Sequence, residues 1–114
     1  MTPQEIMDGM ASKNRMLTQK NKEYLDLSEK WAQSKREYRK AIAKEILKLK
    51  SEGTAISIIK TVAQGSKIVA DFEFQMLVAE AVKNACLDAI KDIRIALESY
   101  RSLLSWLKSE MQSQ

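Results

Sequence analysis

The sequence predicts an all-α protein: two long antiparallel helices, at about 3–50 and 67–112, joined by a short apolar helix at about 55–64. Copies of this hairpin are expected to associate into a helical bundle or coiled coil. Three observations predict this. With three Gly and one Pro, the chain has almost no turn punctuation and few loops can form. Two Trp, three Tyr and two Phe are too few aromatic residues for most sandwiches or barrels. From Lys67 to Met111, two apolar series interleave at seven-residue intervals. One is Val69, Met76, Lys83, Ile90, Leu97, Leu104 and Met111; the other is Phe72, Ala79, Cys86, Ile93, Tyr100 and Leu107. Only Lys83 breaks them. This alternating spacing of three and four keeps one face of a helix against a partner, with slight left-handed supercoiling.

The first helix starts at Thr2-Pro3-Gln4-Glu5, where Thr2 can cap, Pro3 suits the first helical position and Glu5 completes a capping box. No breaker except Gly9 follows until Gly53. Met10, Leu17, Tyr24, Trp31 and Tyr38 recur at every seventh position and form a narrow line. The companion positions are mixed: Lys13 and Asn14, Lys20 and Asn21, Leu27, Ser34 and Lys35, then Ala41 and Ile42. The apolar face widens only from Tyr38 through Ile42, Ile46 and Leu49, so the N-terminal turns are expected to be the least stable.

Gly53 fits the left-handed position after a helix end, and Thr54 can cap the next helix. The connector Thr54–Gly65 places Ile56, Ile59, Val62 and Ala63 on one side. Its β-branched content would allow a strand on propensity alone, but there is no sheet to join. Ser66 is the expected cap of the last helix. That helix has a third apolar column at Val82, Ala89, Ala96 and Leu103. Antiparallel folding should bring Met10 near Leu107 and Tyr38 near Met76 to Ala79. The thin line of the first helix would then leave part of the broad seam uncovered. We therefore expect a homo-oligomer, dimer or higher, with Ile56, Ile59, Val62, Ile90, Leu97, Leu103 and Leu104 at its interface. Lys83 would set register there or carry its ammonium out to solvent.

At 114 residues the chain is one domain's worth, read as a single helical hairpin over 1–114. Apolar residues at 45% and charged residues at 30% fit an amphipathic helical protein rather than a solvated tail. There is no histidine, and Cys86 is the one cysteine, which excludes Cys/His zinc sites and Ser-His or Cys-His nucleophile pairs. On the apolar face, Cys86 reads as a buried, inert thiol.

Glu23, Asp26 and Glu29 form one acidic ladder, and Asp88 with Asp92 forms another. Neither has the Glu-x-x-Glu pair by which all-helical nucleotide pyrophosphohydrolases hold magnesium, and both read as salt-bridging faces. Gly65-Ser66-Lys67 lacks the earlier glycine and the preceding strand of a phosphate loop. We therefore expect no enzyme, no cofactor and no metal. The polar start does not look like a signal peptide, and no apolar run approaches the ~20 residues that span a bilayer. A soluble cytoplasmic protein with no membrane partner is expected.

The charge distribution carries the partner signal. Residues 1–50 hold twelve Lys/Arg against seven Asp/Glu, whereas residues 51–114 hold seven against eight. Lys35, Arg36, Arg39, Lys40, Lys44 and Lys48 cluster with only Glu37 and Glu45 among them. Arg36, Lys40, Lys44 and Lys48 step by four, making a ridge suited to nucleic-acid phosphates or an acidic partner. The bland reading of the same residues is a solvated helix face with lysines favoured near its C-terminus.

The run from Ala43 to Gly53, the connector ending Gln64-Gly65 and the helix from Ala79-Glu80-Ala81 to Tyr100-Arg101 resemble a known group. These are small, mostly uncharacterised helical proteins encoded by phages and prophages of Gram-positive bacteria, often among early or recombination genes. The resemblance covers the last two thirds of the chain and carries over no functional residue. It implies a phage accessory protein in the cytoplasm of a bacterial host. Such a protein would bind nucleic acid or a nucleic-acid-processing complex, or act as an adaptor or inhibitor of a host protein through the apolar connector or exposed seam. Secreted Trp-x-Gly hairpins are similar in length, but no Trp stands two residues before Gly53.

Overall fold

The computed structural model describes residues 1–113. They form three helices, α1 (Pro3–Ser51), α2 (Ile56–Gly65) and α3 (Lys67–Gln112), with no strand among the described residues. The expected elements and ends are therefore present within a residue or so.

Local chemistry explains most of the helix ends. Thr2 Oγ1 accepts a hydrogen bond from the Glu5 backbone N–H at 3.2 Å, satisfying one of the unpaired donors at the start of α1. At its other end Gly53 adopts φ 83°, the left-handed conformation that glycine reaches without a Cβ penalty. The Gly53 N–H donates to Lys50 O at 3.1 Å and the Thr54 N–H donates to Leu49 O at 3.0 Å. This pair of bonds is a Schellman closure. It also corrects the expectation for Thr54, whose backbone ends α1 while Ala55 takes the N-cap of α2 with no side-chain cap bond. Ser66 does cap α3, its Oγ accepting from the Val69 N–H at 3.3 Å.

The packing divides into two compact units whose boundaries fall inside α1 and α3 rather than at the turns. The first contains Met1–Leu25 and the chain from Asn84 onward. Here α1 and α3 run antiparallel, with Gly9 at the Tyr100 ring and the Lys20 carbonyl at Cys86. The expected apposition of Met10 with Leu107 is replaced by one about a heptad away. A seven-residue repeat permits such a slide because every seam position then meets another seam position. Ile6, Cys86, Ile90, Ile93 and Leu97 are buried. Burying side chains of this size is worth roughly 1.5–3 kcal/mol each, so Ile6, wholly covered, anchors turns that looked weak from their composition.

Gly9 belongs to the same packing. A Cβ there would stand 2.7 Å from Tyr100 Cζ, inside any normal contact, so the missing side chain is the space the ring occupies. Cys86 is buried and unpaired, as its seam position implies, and its Sγ lies 3.6 Å from Lys20 O. Lys20 itself occupies a seam position on α1. Its stem is partly covered, and its ammonium meets Glu23 at 3.0 Å, which raises its pKa.

The second unit, Asp26–Lys83, packs all three helices. Its core cluster is Leu49, Ile59 and Ala63, with Ile42 and Ile46 packed against it. The apolar face of α1 widens at these residues because α2 folds onto that end. Lys83 is half-buried in the seam. Its Nζ sits 4.1 Å from the centroid of the Trp31 ring, where the aromatic face attracts a cation.

Candidate functional site

The cationic ridge lies on the part of α1 within the second unit. Arg36, Arg39, Lys40, Lys44 and Lys48 are exposed, while Lys35 is half-buried at the flank. The sequence places them there because Tyr38, Ile42, Ile46 and Leu49 take the opposite side of the helix. Arg36 and Lys40 share the carboxylate of Glu37, at 3.9 and 3.6 Å. Among the described residues Arg39, Lys44 and Lys48 have no ion-pair partner. Surface pairs of the Glu37 kind contribute about 0–1 kcal/mol and exchange readily for a stronger anion.

Lys35 is engaged differently. Its Nζ lies 5.0 Å from the Trp31 ring centroid, so Trp31 attracts both Lys35 and Lys83. The Trp31 indole N–H is buried without a hydrogen-bond partner among the described residues. Leaving such a donor unpaired costs roughly 1–3 kcal/mol, and the paired ammonium groups offset part of that. Trp31 is half-buried, its indole N–H covered while the residue lines an open groove with Lys35, Arg36, Arg39 and Lys40. Tyr38 points away from the ridge, toward Glu73 and Gln64. Burial first, and then the Glu73 carboxylate, hold its hydroxyl above the usual tyrosine pKa.

Three open grooves run beside the ridge within this unit, one of them lined by Trp31, Lys35, Arg36, Arg39 and Lys40. Another has Lys40, Lys44 and Lys48 on one wall and Ile68 with Phe72 on the other. The third has Lys30, Gln33 and Ser34 facing Phe74 and Val78. All three are open to solvent, and Glu37 lines both grooves that have α3 as a wall. No group of three or more His, Cys, Asp or Glu side chains able to hold a metal ion occurs among the described residues. No described helix is long and apolar enough to cross a membrane.

No family model, curated protein or solved structure matches this chain. Its function must therefore be argued from its own surfaces.

The seven residues expected at an oligomer interface separate into three groups. Ile59, Ile90 and Leu97 are already buried within one chain, and Leu103 and Leu104 are half-buried. Ile56 and Val62 remain available, Ile56 being 83% exposed. The sequence reading missed another apolar face. Ile68, Phe74, Leu77 and Val78 of α3 stand in solvent, Phe74 at 68%, beside Val82 of the third column. Its signal was present as a second series at Ala70, Phe74, Leu77 and Ala81, spaced by four, three and four. The longer and stronger series on the opposite side of the same helix masked it.

Proposed function

We propose that the protein is a non-enzymatic, self-associating helical accessory protein of the kind phages encode, which binds the phosphate backbone of nucleic acid through α1. The observation that carries this reading is the row of exposed cations Arg36, Arg39, Lys40, Lys44 and Lys48, with Glu37 their one ion-pair partner among the described residues. From Arg36 to Lys48 the helix rises about 18 Å, enough to follow roughly five phosphates of one strand at about 3.4 Å each. No exposed aromatic side chain is interleaved with these cations, which favours backbone attraction over base stacking. Binding should therefore be tolerant of sequence and steeply weakened by salt, with log affinity falling by about 4–5 per decade of salt.

The test is a salt-dependent shift assay with single- and double-stranded DNA and RNA, beside sedimentation of the same samples. Arg36→Glu with Lys40→Glu should abolish binding and leave the subunit number unchanged. A wild-type chain that binds none of these nucleic acids at low salt refutes the reading.

A second reading, a protein-binding adaptor or inhibitor of a host factor, is favoured by the apolar side chains of α2 that stand in solvent, Ile56, Ile58 and Val62. Ile56→Asp with Ile58→Asp should release a protein partner in a pull-down. Retention of the partner by the doubly substituted chain counts against this surface. Ile59 is unsuited to that test because its replacement would open the core.

A further inference from the structure

We propose that the outer face of α3, centred on Leu77 and Val78, is the surface on which a second copy of this chain docks, α3 against α3 and antiparallel. The inference rests on the self-association named above and gives it a place and a register. On the side of α3 away from the core, Ala70, Phe74, Leu77, Val78, Ala81 and Val82 form an exposed stripe. Of the charged residues within this stretch, Glu73 and Glu80 are half-buried toward the inner side and Asp71 is exposed near its start, so the stripe carries no cation. A stripe without cations fits neither phosphates nor an acidic helix, both of which require cations facing them. It fits another apolar stripe.

The stripe is complementary to itself in one antiparallel register, with a two-fold axis between Leu77 and Val78. Phe74 of one copy then falls opposite Ala81 of the other, a large side chain against a small one, and Leu77 falls opposite Val78. Ala81 lets the helices approach closely where Phe74 needs room. The same register puts Lys67 of one copy across from Asp88 of the other, and Asp71 across from Asn84. Lys67 and Asp88 are exposed and have no ion-pair partner among the described residues. Opposite charges thus flank an uncharged centre at both ends, an arrangement that selects orientation and partner. Because α3 is one uninterrupted helix, Lys67 and Asp88 lie about six turns apart within a chain and cannot pair there.

The experiment measures subunit number across a dilution series by sedimentation, with helix content followed by circular dichroism. The wild-type chain should form a concentration-dependent dimer, and Leu77→Lys, at a side chain already half in solvent, should leave a helical monomer. Lys67→Glu should weaken the dimer roughly tenfold, since it turns two attractive pairs into repulsive ones. Adding Asp88→Lys to the same chain should restore it, a rescue that no contact within one chain can produce. An oligomer indifferent to Leu77→Lys overturns this surface and leaves self-association standing. Failure of the charge reversal to rescue overturns the register. A wild-type monomer at every concentration overturns both this inference and the self-association on which it rests.

Discussion

The two compact units draw on the same pair of long helices, yet they treat the outside of α3 in opposite ways. In the unit that begins at Asn84 on α3, Cys86, Ile90, Ile93 and Leu97 turn inward while Asp88, Lys91, Asp92, Arg94 and Glu98 turn out. In the Asp26–Lys83 unit, Val69 is buried but Ile68, Phe74, Leu77, Val78 and Val82 face solvent. Most cations of that unit are carried instead by α1. A charged outer face leaves a helix content in water, whereas an uncharged one calls for a cover. The cationic ridge on α1 and the centre of the apolar stripe on α3 therefore both belong to the second unit.

The strongest way to break this comparison is to damage each core separately. Leu97→Ala in the first unit and Ile59→Ala in the second should each cost about 2–5 kcal/mol. Hydrogen exchange should then speed up mainly within the unit that carries the substitution. Uniform loss of protection from either change would mean that the two units open together and that their division has no energetic content.

The next test compares the two glycines that the packing and the turn require. Gly9→Ala gains up to about 1 kcal/mol of helix propensity but drives a methyl into the Tyr100 ring, an overlap that costs about 1–3 kcal/mol. A net loss of about 1 kcal/mol is expected in thermal melts. In a Tyr100→Leu background the same change should become stabilising, because the ring is gone. Gly53→Ala meets no neighbouring atom, so it should cost about 1–2 kcal/mol purely through its left-handed backbone.

The smallest effect expected is a dependence on alkaline pH confined to the second unit. Tyr38 has its hydroxyl pKa raised, by burial and then by Glu73, so the folded state holds this proton more tightly than the unfolded chain does. Its contribution is fully present below the unfolded tyrosine pKa of about 10 and is lost as pH rises through the folded value. Tyr38→Phe should therefore flatten the decline of melting temperature above about pH 10. An unchanged decline would assign it to other groups.

Much of the fold was legible because its signals are local. Thr2, Gly53 and Ser66 mark helix ends through bonds made within a few residues, and the seam from Val69 to Leu107 is a property of spacing alone. The candidate ridge was legible for the same reason, since cations at steps of four must share a side of any helix. Thr54 was misjudged because one residue can serve only one boundary, and its backbone closes α1. The outer stripe of α3 was missed because a single helix can carry two apolar series, and spacing does not say which one a neighbour takes.

By itself the amino-acid order determined the three helices among the described residues, their ends to within a residue or so, and the inner line of α3 from Val69 to Leu107. Short-range hydrogen bonding and periodicity set all of these. Only the tertiary structure decided that Gly9 faces Tyr100, that Lys83 rests on Trp31, and that Ile59 is enclosed while Ile56 stays in water. A pattern that repeats every seven residues looks the same after a shift of seven, so the choice of heptad falls to side chains distant in sequence that meet only when the helices pack.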